Sequence, residues 1–224
     1  MSKCQLIKGK SRTGGTVAML GLPATRLLYL KGDLPMRILN VPSPNFQVGR
    51  RSFRPEGIVI HIMQGTLYGT DSWFQSAVSK ASAHYGVGKW GEVHQYVKEQ
   101  DTASHTGRAG VPRWSMIKHD SAGNPINPDY YTIGIEHEGD LDTDWTPEMY
   151  DMSSSLICTI CSRWNIPIDR EHIIGRNELY QQKRPLTNTI NIDLLITLAR
   201  EKQDQRKRSI NAILGGDAAL AFAN

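Results

Sequence analysis

Apolar positions mark a short series of buried elements in the middle of the chain. Gly57-Ile58-Val59-Ile60-His61 is a β-branched run opened by glycine, and its lack of alternation predicts a fully buried strand over 57–62. Thr70 to Lys80 reads as a helix, with Thr70 or Asp71 as cap and Trp73, Phe74, Ala77 and Val78 facing inward. Ala83 to Lys89 and Glu92 to Val97 read as two strands, with Trp90-Gly91 as the hairpin turn between them. Tyr131 to His137 is another strand, and His172 to Ile174 a short one. Thr146-Pro147-Glu148 opens a helix, because threonine caps well and proline tolerates the first helical position. Met149, Met152, Leu156, Ile160 and Trp164 then repeat at helical spacing, so this stripe is core. Ile190 to Gln203 predicts a last amphipathic helix, capped by Asn188 or Asn191.

The flanks are different. Pro35, Pro42, Pro44 and Pro55 interrupt residues 1–55, although Ala18 to Leu30 has the composition for a strand or two. Residues 104–129, rich in Gly, Pro, Asn and Ser, predict a long loop over one face. The expected organisation is an arm over 1–55, a domain over 56–203 and a tail over 204–224. The expected fold class is α/β, a mixed central β-sheet flanked by helices, with an irregular N-terminal arm and C-terminal tail.

Composition alters this picture little. The 224 residues are 39% hydrophobic and 21% charged, enough for one domain with its own core. Three cysteines, Cys4, Cys158 and Cys161, do not make a disulfide framework, and Cys158 and Cys161 fall inside a helical pattern, where core packing is the plain reading. No stretch approaches the ~20 apolar residues of a membrane span, and the N-terminus has no apolar signal region. Charge is more informative. Residues 1–55 hold 10 Lys or Arg against Asp33 alone, while the remainder holds 16 basic and 21 acidic residues. The net +4 therefore belongs to the arm, which suits an anionic surface or a neighbouring protein. No aromatic-basic platform or helix motif supports nucleic-acid binding.

Several short runs carry candidate chemistry: His61 closing its strand, Ser82-Ala83-His84-Tyr85, Glu92-Val93-His94-Gln95-Tyr96-Val97, Asp101-Thr102-Ala103-Ser104-His105-Thr106-Gly107, Tyr131-Thr132-Ile133-Gly134-Ile135-Glu136, and Ile173-Ile174-Gly175-Arg176-Asn177-Glu178. In order and spacing they resemble the zinc-dependent N-acetylmuramoyl-L-alanine amidases of the type-2 (peptidoglycan recognition) family. The resemblance covers roughly residues 40–200. It includes Val41-Pro42-Ser43-Pro44-Asn45-Phe46, which often precedes the first strand in phage members.

That resemblance implies a metal centre with three protein ligands, whose bound water attacks the amide between sugar and peptide. It makes His61 the first ligand, Glu136 the general base, Lys183 the residue that steadies the oxyanion, and His105 a substrate-facing side chain. The second ligand position is Arg176, which offers only donors and cannot ligate zinc. The third is Arg184 or Thr187, depending on spacing. The expectation is therefore a phage-derived, amidase-like protein that binds peptidoglycan, serves as a virion (tail) component, or both. Hydrolysis is expected to be lost or severely impaired and no cofactor to be held. The alternative is an active zinc amidase. Arg176 is expected to pair with Glu136 in the metal's place. Peptidoglycan is the expected partner, with other phage structural proteins for the arm and tail. Residence is expected in a phage particle, or in host cytoplasm before release.

Overall fold

The computed structural model describes residues 36–107, 111–181 and 190–221. In chain order its elements are β1 (Ile38–Asn40), β2 (Phe46–Gln47), β3 (Gly57–Ile62), α1 (Leu67–Gln75), β4 (Tyr85–Val87), β5 (Val93–Gln95), β6 (Thr102–Ala103), β7 (Val111–Pro112), β8 (Thr132–His137), α2 (Pro147–Trp164), β9 (Ile173–Gly175), α3 (Arg176–Leu179), β10 (Tyr180–Gln181) and α4 (Ile192–Ala221). Six strands form one mixed sheet in the order β1-β5-β4-β8-β3-β9. Strands β4, β8, β3 and β9 run parallel, β5 is antiparallel to β4, and β1 is parallel to β5. This is the mixed α/β architecture expected from the hydrophobic pattern.

Strand periodicity divides the sheet into two faces. Ile58 and Ile60 of β3, Ile133 and Ile135 of β8 and Ile173 of β9 pack beneath α2 and α4. There they meet Met149, Leu156, Ile157, Ile160, Leu195, Ile196 and Ala199. Cys158 and Cys161 lie buried in the same helix, as core residues. The alternate residues point the other way: Val59 and Ile174 join a second cluster around Trp114 and Tyr131. His61 and Glu136 share the parity of that second face. His137 shares the first: its Nε2 meets Ser153 Oγ at 2.9 Å and its ring stacks on Trp145.

Helix α2 begins as its sequence predicts. Thr146 Oγ1 accepts from Met149 N, Pro147 opens the first turn, and Asn165 ends the helix in the left-handed conformation. Asn191 caps α4 by accepting from Leu194 N at 2.9 Å. That helix runs on past residue 203 to Ala221, through the segment read as a tail. Helix α1 differs more. Thr66 is its cap, accepting from Gly69 N, and the helix stops at Gln75. Its buried face is Leu67, Thr70, Asp71 and Phe74, while Trp73 is 57% and Val78 85% exposed. Asp71 is turned inward because its carboxylate accepts from Tyr96 Oη at 2.8 Å and meets His94 Nδ1 at 2.9 Å.

The segment read as an arm supplies β1 to the sheet edge and β2 to a two-stranded pair with β6. It also supplies Arg50, which is buried and donates to the carbonyl oxygens of Glu99, Asp129, Tyr130 and Thr132. Burial lowers its pKa to about 10, which leaves it a cation at neutral pH. The strand or two read over Ala18 to Leu30 lies outside the described residues. Within the predicted loop 104–129 the structure adds β7 and a bridge between His119 and Pro125. Among the described residues no helix is long and apolar enough to cross a membrane.

Candidate functional site

The parallel register sets His61 beside Glu136 at the ends of β3 and β8. Gly175 pairs with Ile60 one strand over, so Arg176 leaves β9 at the same level. Clefts at the carboxyl ends of parallel strands are the usual ligand sites of such sheets. Here a cleft of about 290 Å³ opens there, and His61, His105, Glu136 and Arg176 all line it. Four of the residues singled out from sequence therefore come together. Lys183, Arg184 and Thr187 lie outside the described residues.

Gly134 makes room for His105. A Cβ there would meet His105 Cγ at 2.5 Å, so only glycine lets the imidazole lie flat over β8. A hydrogen-bond chain then fixes both rings. Thr132 Oγ1 donates to the carbonyl of Pro128 at 2.7 Å, which leaves its oxygen to accept from His105 Nε2 at 3.2 Å. Asp129, whose carboxylate holds the backbone N–H groups of His105 and Thr106, lies 3.7 Å from the same nitrogen. His105 Nδ1 is thus the acceptor for His61 Nε2–H at 3.1 Å. This network assigns the lone pair of His61 to Nδ1, which faces Glu136 Oε1 at 3.8 Å.

Burial controls the charges. It pushes the pKa of His61 well down, and His105, Arg176 and His137 push it further. His105 is lowered by burial to about 4, against an opposing pull from Asp129. Both imidazoles are neutral at pH 7, so the 3.8 Å approach of His61 to Glu136 is not an ion pair. Burial raises Glu136 to about 7, with Arg176 pulling the other way. The expected Arg176–Glu136 ion pair does not form. Among the described residues the ion pairs leave Arg176 out, and Glu136 Oε2 is buried with no hydrogen-bond partner. Arg176 is half-buried, its guanidinium against Gly107. The reason is placement: the two share the cleft without direct contact, and Arg176 acts on Glu136 only through space.

Four other histidines are held by the fold. His84 is fully buried and accepts from Gly134 N at 3.0 Å. His94 is held by Asp71, and His172 by Asp169 at 2.7 Å, away from the cleft. His137 faces α2, on the opposite side of β8 from Glu136. The reading of sequence missed Trp73, assigned to the core but lining the cleft: the buried face of α1 is Leu67, Thr70, Asp71 and Phe74, and Trp73 lies about 100° round the helix from Phe74. It also missed Thr132 and Asp129, whose role is to orient His105; their only signal was proximity in sequence to Glu136.

Comparison with known proteins agrees with this geometry. A family model described as N-acetylmuramoyl-L-alanine amidase matches residues 51–188. The chain is 30% identical over 125 residues to N-acetylmuramoyl-L-alanine amidase A of Achromobacter lyticus, which is 54% of this chain and 60% of the relative. It thus spans about 60% of the length of the curated relative it matches. Among solved structures, a selenomethionine derivative of AmpD superposes with a TM-score of 0.58 at 19% identity, over 77% of this chain and 99% of that one. A mutant endolysin from Bacillus subtilis superposes with a TM-score of 0.53 at 17% identity, over 74% and 99%. At these identities the structural likeness is one of fold.

Proposed function

Because the chain belongs to the N-acetylmuramoyl-L-alanine amidase family, matched over more than half its length, we propose that its cleft binds bacterial peptidoglycan with zinc-dependent hydrolysis lost or severely impaired. One observation carries the proposal: a guanidinium, Arg176, lines the cleft beside His61, at the position where the family pattern wants a second metal ligand. Zinc takes nitrogen, sulfur or oxygen donors with free lone pairs, three from the protein at a catalytic site. Arg176 has none to give, and among the described residues no three His, Cys, Asp or Glu side chains group to hold a metal. A like charge ~4 Å from a divalent ion costs about 4 kcal/mol per unit charge at an effective dielectric of ~20. The donor set therefore does not fit zinc. What the cleft retains is a capacity to bind and orient, through a cationic fork and two neutral imidazoles of fixed tautomer.

Metal analysis of the purified protein, with an assay on muropeptides, tests this reading. The expected result is no stoichiometric zinc, no cleavage of the MurNAc–L-Ala amide bond, and co-sedimentation with purified wall. Arg176→His with Thr187→Cys is expected to raise zinc affinity at least tenfold. A wild-type chain that holds one zinc and cleaves muropeptide overturns the proposal. That outcome would establish the second reading, an active amidase, which the placement of Glu136 beside His61 favours. The basic arm supports a further role as a component of a phage particle. Removal of residues 1–35 is then expected to abolish incorporation.

A further inference from the structure

Building on the metal-free reading above, we infer that the cleft is specific for the cleaved form of its ligand: muramic acid whose lactyl carboxylate is free, as in glycan stripped of its peptides. The cleft holds one half-buried cation, Arg176, beside a carboxyl whose inner oxygen is sealed from solvent. Arg176 makes no ion pair among the described residues, and Glu136 Oε2 is buried without a donor. Glu136 is not at ion-pair distance from Arg176, so the guanidinium keeps its fork for a ligand.

A planar guanidinium takes a carboxylate through two parallel, charge-assisted hydrogen bonds, and a neutral amide carbonyl through weaker ones. An intact wall presents an amide at the lactyl carbon, whereas a stripped wall presents a carboxylate there. Where a metal would polarise the amide, Arg176 instead rewards the anion. Trp73, 57% exposed on the cleft wall, offers an aromatic face to the sugar ring. The cleft's volume of about 290 Å³ suits one substituted sugar rather than a length of glycan.

Co-sedimentation with intact sacculi and with sacculi stripped by an active amidase tests the inference. Retention on stripped wall is expected to be about tenfold higher, the difference one charge-assisted bidentate contact confers. Arg176→Gln should abolish the preference and Arg176→Lys restore part of it, with thermal melts confirming that each folds. On the wild-type chain, NMR titration should show N-acetylmuramic acid binding about tenfold more tightly than its methyl amide. Equal retention on the two walls, or a methyl amide that binds as well as the acid, overturns the inference and leaves wall binding intact. Failure to bind either wall overturns both.

Discussion

Glu136 sets how the cleft responds to pH. Its pKa in the fold, raised by burial from 4.5 to about 7, means that the folded chain holds this proton more tightly than the unfolded one. Stability should therefore fall as pH rises from about 4.5 through 7, and Glu136→Gln should remove that fall. The variant should gain about 2–3 kcal/mol over wild type at pH 8 and little at pH 4. Thermal melts across that range check this, and parallel curves for the two proteins would sink it. At this scale the sequence was legible where a residue type is unusual in its setting: His61 ending an apolar run, Glu136 after alternating isoleucines, Arg176 after a glycine. It was opaque where a residue works through backbone. Arg50 reads as one of ten cations in a basic segment, yet it is buried on four carbonyls from distant loops.

Elements were legible where a local signal fixes both ends. Thr146, Pro147 and the following stripe specified α2 because cap, first turn and buried face agree. For helix α1 the sequence offered Thr70 or Asp71 as cap, and the structure uses Thr66. Tertiary contacts explain the difference, since Asp71 is needed inside by His94 and Tyr96. Strand β1 has only three residues, all exposed, so no hydrophobic pattern announced it. Strand β8 depends on a single absent side chain. Gly134→Ala should displace His105, break its contact with His61 and cost about 1–3 kcal/mol by overpacking. Urea unfolding gives the cost, and the imidazole resonances of His61 and His105 report the displacement. An unchanged spectrum would show that the ring has another place to go.

For the whole molecule, family likeness and physical domain do not begin at the same residue. The match starts at residue 51, but upstream residues are stitched into the fold. Ser43 Oγ donates to Phe74 O at 2.5 Å, Asn45 Nδ2 to Ser76 O at 2.8 Å, and β1 pairs with β5. A chain begun at Met36 should unfold cooperatively in urea, whereas one begun at Arg51 should lose several kcal/mol, given the buried acceptors that Arg50 leaves behind. Equal midpoints would mean that this segment only decorates the surface. The sheet order has a consequence in time. Strand β3 pairs with β8 and β9, its partners roughly 75 and 115 residues further along the chain. Such distant pairings are slow to find. During synthesis β3 emerges from the ribosome long before either neighbour exists, a bare apolar ribbon. Its shelter until then is a matter for chaperones and translation speed, and the last strand of that sheet to be made, β9, is also the one that delivers Arg176.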